Sequence, residues 1–331
     1  MAKTNSMKLR VAVIYGGRSG EHEISIRSAQ SIIEGLDPDR YETIKYFIDK
    51  QGKWSPRPIL PEPGAHPEID VVFPVLHGSF GEDGTVQGLL ELADLPYVGA
   101  GVLGSSVSMD KVMMKRVCLE RMLPIVDYVT VAREHQDVAE ACRRLPFPMF
   151  VKPANLGSSV GISKAHNLEE LRAAVACAAQ YDSKIVVERG IAGRELECAV
   201  LGNQEPVASL PCEILPSREF YDYEDKYLLD RAGTRLPADL PPEKTEELRR
   251  LAVACFRAVE CEGMGRVDFL LETATDRLYI NEINTIPGFT SISMYPKMWE
   301  HSGIGFGALL DRLIELALDR HRKKRETRFT R

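Results

Sequence analysis

Apolar residues first gather at Val11-Ala12-Val13-Ile14-Tyr15, a continuous run that Gly16-Gly17 ends. From Glu21 to Leu36 they recur at positions 26, 29, 32, 33 and 36, the spacing of one helix face. A strand, a glycine turn and a helix are therefore expected. A second strand, Asp70 to Leu76, runs into His77-Gly78 and the Gly81-Glu82-Asp83-Gly84 turn, after which Thr85 is expected to cap a helix reaching Leu92. Strands alternating with helices predict a parallel α/β unit over residues 1–104. In such sheets ligands collect at the carboxyl ends of strands, where Gly16-Gly17 and His77-Gly78 both fall.

A second, small α+β unit is expected over residues 105–187. Met109-Asp110-Lys111 opens a helix predicted to run to Met122, and Pro146 to Pro153 forms a strand that carries Lys152. The loop Ala154-Asn155-Leu156-Gly157-Ser158-Ser159 then returns through Val160 to Lys164. Lys184 to Glu188 leads into a third unit, residues 188–320, with a strand from Glu195 to Leu201 and a closing helix over 306–319. Within it, residues 217–235 are polar yet hold Phe220, Tyr221, Tyr223 and Tyr227 between proline-rich flanks. That composition suits a lid over a site better than a core element. Residues 321–331 are expected to form a solvated basic tail.

The most informative pattern lies in the third unit. Gly265-Arg266-Val267-Asp268-Phe269 is followed by Tyr279-Ile280-Asn281-Glu282-Ile283-Asn284. Residues two apart on a strand share a face, so Glu282 and Asn284 point together, as do Arg266 and Asp268. If the strands pair antiparallel with Asp268 opposite Glu282, the hairpin closes through Thr273 to Arg277. Two facing carboxylates are unfavourable unless a cation lies between them, and these hard oxygen donors suit magnesium completed by water and phosphate oxygens.

The chain has 331 residues, 44% hydrophobic and 27% charged, which suits a multi-domain globular protein. Its net charge of -6 argues against a general nucleic-acid binder, although residues 320–331 carry seven Lys/Arg against one Glu. Seven cysteines without Cys-x-x-Cys spacing read as reduced thiols of a cytoplasmic protein. No apolar run approaches the ~20 residues of a membrane span, and none has the form of a signal peptide.

No Gly-x-x-x-x-Gly-Lys-[Ser/Thr] occurs, and Gly16-Gly17-Arg18-Ser19-Gly20 lacks the dinucleotide-binding spacing. Phosphates must be held another way. Lys152, in an otherwise apolar strand beside a glycine-serine loop, and Lys111, at a helix start, are the candidates, because a lysine among apolar residues is costly unless an anion meets it.

Taken together these segments resemble the ATP-grasp superfamily and, within it, the D-alanine-D-alanine ligases. The matching stretches are Gly16 to Ser25, Leu76-His77-Gly78, Gly81 to Gly88, Met109-Asp110-Lys111, Val151-Lys152-Pro153, Gly157 to Gly161, Tyr221 to Tyr227 and Asn281 to Tyr295. They span nearly the whole chain, and their order and combination are specific. The resemblance implies an α/β fold with an α+β centre in three domains: an N-terminal parallel α/β domain, a small central α+β domain and a C-terminal α+β domain carrying the metal site.

It further implies ATP between the central and C-terminal domains, with Lys111, Lys152 and Lys226 serving the phosphates and Glu188 and Glu195 the adenosine end. Asp268, Glu282 and Asn284 would hold two magnesium or manganese ions, and potassium is left open as a further cofactor. One D-alanine accepts the γ-phosphoryl group, and the amine of a second attacks the resulting D-alanyl phosphate. Arg266 and a backbone N–H at Gly288 are the implied donors to the oxyanion. Glu21 would bind the ammonium of the first D-alanine and link through Ser158 to Tyr227. His77 would orient that substrate, and Ser293 and Met294 would meet the carboxylate of the second. A cytoplasmic homodimer is the family expectation.

Glu224-Asp225-Lys226-Tyr227 keeps the form of the dipeptide-forming members, with D-lactate as the alternative acceptor. Three other readings remain: another ATP-grasp carboxylate-amine ligase, a silent nucleotide-binding regulator on the same fold, and a nicotinamide-dependent oxidoreductase. The last needs a ribose-binding acid about twenty residues past the glycines, where Asp37 lies in an Asp-Pro turn and fits poorly.

Overall fold

A computed structural model describes residues 8–135, 137–157, 160–215, 233–290 and 292–328. The expected loop residue Ser158, the lid residues Lys226 and Tyr227, and most of the segment 217–235 lie outside the described residues.

The chain begins with β1 (Leu9–Gly16), α1 (His22–Gly35), β2 (Tyr41–Ile48), the short β3 (Trp54–Ser55), β4 (Val71–Val75) and α2 (Thr85–Leu92). Their sheet has the order β3-β2-β1-β4, with β1 parallel to both β2 and β4. Every residue of β4 is buried, as expected of a strand covered on both faces. Val11, Val13, Val71 and Phe73 face one layer; Ala12, Ile14 and Val72 face the other. Gly16 ends β1 at φ +94°, and a Cβ there would lie 2.1 Å from the Ile48 carbonyl oxygen, so the turn admits only glycine.

Two helices follow, α3 (Val102–Met109) and α4 (Lys111–Glu120). The sequence predicted one helix from Met109; instead Asp110 breaks the path and caps α4, accepting from the N–H groups of Val112 and Met113 at 3.0 Å each. The central sheet comprises β5 (Tyr128–Ala132), α5 (Ala139–Arg144) beside it, β6 (Met149–Pro153), β7 (Ser163–Ala165), α6 (Leu168–Ala178) and β8 (Lys184–Arg189). Its order is β5-β8-β6-β7, antiparallel throughout.

The remaining elements are β9 (Gly193–Gly202), β10 (Val207–Ala208), β11 (Cys212–Leu215), β12 (Gly233–Arg235), α7 (Pro242–Ala258), β13 (Gly263–Glu272), β14 (Arg277–Asn284), α8 (Met294–His301) and α9 (Phe306–Arg325). They build a third sheet, β12-β11-β9-β13-β14, with β10 on β9. A buried cluster joins α1, β4, β9, α8 and α9 through Ala29, Phe73, Leu201, Tyr295 and Leu313, so the first and third sheets share one core.

Two details depart from the sequence reading. Thr85 is the first residue of α2 and not its cap: Gly84 precedes the helix at φ +92°, and Asp83 Oδ1 accepts from the Thr85 N–H at 2.9 Å. The expected basic tail is helical as far as Arg325. Arg320 lies over the Tyr97 ring at 4.3 Å and donates to the Tyr97 and Gly99 carbonyls, while His321 meets Asp94 and Lys324 pairs with Glu91. These charges dock α9 on the first unit, which is why the helix outlasts its apolar repeat. Among the described residues no helix is long and apolar enough to cross a membrane.

Candidate active site

The polar hairpin takes the register that places Asp268 opposite Glu282, with a bulge directly after Asp268. On its other side β13 pairs with β9, and there Asp268 stands opposite Glu197. Three acids therefore cross three adjacent strands in one row. Arg266 makes this arrangement tolerable. Its Nε and Nη2 donate to the two oxygens of Asp268 at 2.7 and 2.6 Å, and Nε lies 3.4 Å from Glu197. Burial works against the guanidinium charge, but the fields of Asp268 and Glu197 outweigh it and push the pKa well up. Asn284 donates Nδ2 to Asp268 Oδ2 at 3.0 Å, which gathers both residues at the end of the hairpin.

Asp268, Glu282 and Asn284 are thus brought together, as the spacing predicted. Among the described residues no three His, Cys, Asp or Glu side chains form a closed metal cluster. Two carboxylates and an amide are instead an open set, of the kind magnesium completes with water and phosphate oxygens, so the donors fit that ion.

Both candidate phosphate lysines face this hairpin. Lys111, fixed by the Asp110 cap, lies 3.4 Å from Glu282 Oε2 and donates to the Leu156 carbonyl at 2.8 Å. Lys152 donates to Asn281 Oδ1 at 3.0 Å and pairs with Glu188 Oε2 at 2.7 Å. The other Glu188 oxygen lies 3.0 Å from Lys115, a wholly buried lysine one turn beyond Lys111, although their geometry does not make a directed hydrogen bond. Burial opposes the Glu188 charge; the two ammoniums overcome it and hold its pKa down to about 2. The carboxylate of Glu188 is therefore occupied by lysines, while Glu195, half-buried on β9, stands two residues from Glu197 on the same face.

At the first sheet Glu21 sits at the start of α1, and its carboxylate fits against two glycines. A Cβ on Gly78 would lie 2.5 Å from Glu21 Oε2, and one on Gly157 3.4 Å from it. Gly157, the last described residue before Ser158, is thereby brought to Glu21. His77 is buried; its Nδ1 lies 2.9 Å from the Ile286 carbonyl and its Nε2 3.2 Å from Ser28 Oγ. Burial lowers its pKa, against Glu21 and the Ile286 carbonyl, so the ring is neutral at neutral pH. Donation from Nδ1 to the carbonyl leaves Nε2 to accept from Ser28.

The Ile286 to Phe289 turn is pinned further by Glu82, which accepts from the N–H groups of Ile286 at 2.8 Å and Gly78 at 2.9 Å, and by Ser28, which accepts from Phe289 N–H at 3.2 Å. Burial and nearby Glu21 raise the Glu82 pKa to about 8, against those two N–H groups. Gly288 is packed against Ser293, whose Oγ accepts from Thr290 N–H at 3.0 Å. Ser293 holds the N-cap position of α8 without bonding the helix, and Met294 begins it.

Lys115, Glu197, Glu82 and Ser28 are the contributors that sequence reasoning missed. A signal existed for two of them: Lys115 is four residues past Lys111 on one helix face, and Glu197 shares a strand face with Glu195.

Comparison with known proteins agrees with this geometry. Residues 117–315 match the "D-ala D-ala ligase C-terminus" family, and residues 10–66 and 60–100 match the "D-ala D-ala ligase N-terminus" family. The chain is 80% identical over 325 residues to a D-alanine–D-alanine ligase of Solibacter usitatus, covering 98% of this chain and all of that one. Its fold superposes on the D-alanine-D-alanine ligase of Coxiella burnetii with a TM-score of 0.87 at 41% identity, covering 97% of each chain. A D-Ala:D-Ser ligase of Enterococcus faecalis gives 0.86 at 34% identity, covering 94% of this chain and all of that one. The fold is the ATP-grasp arrangement expected from the motifs. With both halves of the family pattern matched in order around one acidic hairpin, the chain belongs to the D-alanine–D-alanine ligase family.

Proposed function

We propose that the protein joins two D-alanines into D-alanyl-D-alanine, converting ATP to ADP and phosphate. The observation that carries this reading is the meeting of Asp268, Glu282 and Asn284 with Lys111 and Arg266 at one end of a hairpin. A carboxylate and a triphosphate repel, so bringing them into contact demands cations around both. Bound at these three side chains, magnesium or manganese supplies charge neutralisation and orientation for phosphate oxygens.

The chain's own residues do the rest. Lys111, Lys152 and, from the lid, Lys226 bind phosphates; Glu195 receives the ribose hydroxyls, and Glu188 completes the adenosine end while holding Lys152. Glu21 takes the ammonium of the first D-alanine, and neutral His77 orients that substrate. Its carboxylate oxygen attacks the γ-phosphorus as ADP leaves, giving a D-alanyl phosphate. The amino group of the second D-alanine, its carboxylate held at Ser293 and the Met294 N–H, loses a proton to solvent and attacks the acyl carbon, and its second surplus proton leaves with the phosphate as the tetrahedral adduct collapses. Arg266 and the Gly288 N–H stabilise the oxyanion before phosphate departs. Ser158 and Tyr227 connect Glu21 to the lid.

On this reading the protein has three domains, residues 1–104, 105–187 and 188–320, and works in the cytoplasm as a homodimer to supply a peptidoglycan precursor. Two divalent ions serve each site, and potassium activation is a matter for assay. Incubation with ATP, magnesium and D-alanine, followed by product mass, tests the reaction. A phosphate-release assay across D- and L-amino acids and D-lactate tests the choice of substrate. Absence of a D-alanyl-D-alanine mass would overturn the proposal.

A further inference from the structure

Lys115 is the one wholly buried lysine among the described residues, and the reaction as written does not use it. It lies on α4 one helical turn from Lys111, with its ammonium 5.7 Å from the centre of the Tyr128 ring and 3.0 Å from Glu188 Oε1. Tyr128 pairs with Glu188 across β5 and β8, so strand register places both partners beneath the helix. The other Glu188 oxygen holds Lys152 at 2.7 Å, and Lys152 reaches forward to Asn281, the neighbour of Glu282.

A lysine is seldom sealed from water, because a buried ammonium costs several kcal/mol unless a counter-charge meets it. Here the counter-charge is shared. One carboxylate serves two ammoniums, so the three groups in contact carry an excess positive charge in a region of low dielectric, with Glu282 and Glu195 acting on Lys152 from further off. Without Lys115, Glu188 and Lys152 would form a neutral pair, and Lys152 would offer an approaching anion far less.

We infer that Lys115 is a positioning residue that acts through Glu188, taking up part of that carboxylate so that Lys152 keeps a net charge toward the nucleotide phosphates. The inference rests on the proposed placing of Lys152 at those phosphates. Lys115 does not touch nucleotide; it sets how strongly Lys152 is held back. The burial that lowers the Lys115 pKa is opposed by Glu188 and added to by Lys152, as expected where three charges share one pocket.

The test uses the full chain with Lys115→Met, Lys152→Met, Glu188→Gln and the double variant Lys115→Met/Glu188→Gln, measuring KM for ATP and for D-alanine, kcat, and the affinity for magnesium-ADP by calorimetry. Lys115→Met is expected to raise the KM for ATP about tenfold and to weaken ADP comparably, leaving the KM for D-alanine within about twofold. Because Glu188 is itself placed at the adenosine end, the double variant is read against Glu188→Gln alone: in that background Lys115→Met is expected to change the KM for ATP by less than about twofold, since its route through the carboxylate is gone. A role in packing alone would move stability without an ATP-specific change in either background.

Should Lys115→Met fail to fold, Lys115→Gln makes the same charge change with an amide able to reach Glu188, and the same rise is expected. An unchanged KM for ATP in a folded Lys115 variant, or the same rise on Lys115→Met in the Glu188→Gln background as in the natural one, overturns the inference alone. If Lys152→Met itself leaves the KM for ATP unchanged, the placing of Lys152 is wrong and the inference falls with it.

Discussion

Asp268 faces Glu282 directly across the β13–β14 ladder, and the guanidinium of Arg266, two residues away on the same strand, is bonded to both oxygens of Asp268. Like charges opposed in this way destabilise a sheet unless a cation joins them. Replacing either acid by alanine is expected to reduce D-alanine-dependent ADP formation by at least ~10³-fold, while circular dichroism and Tm show a folded protein. Retained turnover at ordinary magnesium would refute their assignment to the metal.

Glu188 makes the stability of the central sheet pH-dependent. Its folded-state pKa, about 2, lies below the ordinary carboxylate value of 4.5, so its contribution is fully present above 4.5 and is lost as pH falls toward 2. Glu188→Gln is expected to cost about 3–5 kcal/mol at pH 7, because it leaves Lys115 and Lys152 buried without their carboxylate. Denaturant melts of both proteins from pH 7 to pH 2.5 would check this. A gap between them that stays constant over that range would show the carboxylate charge to be irrelevant.

Gly78 carries φ +71°, and a side chain there would strike Glu21. Gly78→Ala is expected to cost about 1–3 kcal/mol in backbone strain and to raise the KM for D-alanine more than that for ATP. Equal effects on the two substrates would argue that Glu21 does not meet the amino acid.

Ser28 joins His77 to the turn at Phe289. Ser28→Ala leaves a buried imidazole nitrogen and a backbone N–H without that hydroxyl, and the expected loss of stability is about 1–3 kcal/mol with a fall in kcat. Thermal denaturation together with steady-state kinetics reads both; unaltered kcat in a destabilised variant would make Ser28 structural only.

Tyr227→Phe is expected to weaken control over the acceptor. The dipeptide-to-depsipeptide ratio, measured with D-alanine and D-lactate in competition across pH, reads it directly, and an unchanged ratio counts against that role.

The parts of the site that were legible in the sequence are those fixed by local rules. Glu282 and Asn284 share a face because side chains alternate along a strand, but the turn did not set their register by itself: Arg277 already pairs with Glu272, so the connection is Thr273 to Asp276 and not the expected five residues, and the bulge after Asp268 is what brings Glu282 opposite it. The glycine turns after β1 and β4 were visible for the same reason, since glycine takes their positive φ angles at least cost. Where a local rule misled, a side chain had intervened: Asp110 caps α4, so the helix expected to open at Met109 begins at Lys111, and Met109 instead ends a separate preceding helix.

Amino-acid order by itself determined the strands, the turns, the acidic hairpin and the family they belong to, because each follows from spacing within a few residues or from a run of motifs. Only the tertiary structure decided that Lys115 and Lys152 share Glu188, that Ser28 and Glu82 hold the Ile286 turn, and that Arg320 carries α9 onto Tyr97. Such pairs join separate elements, and nothing in the sequence around either member names its partner. Burial gives them their energetic weight, and burial is a property of the packed chain.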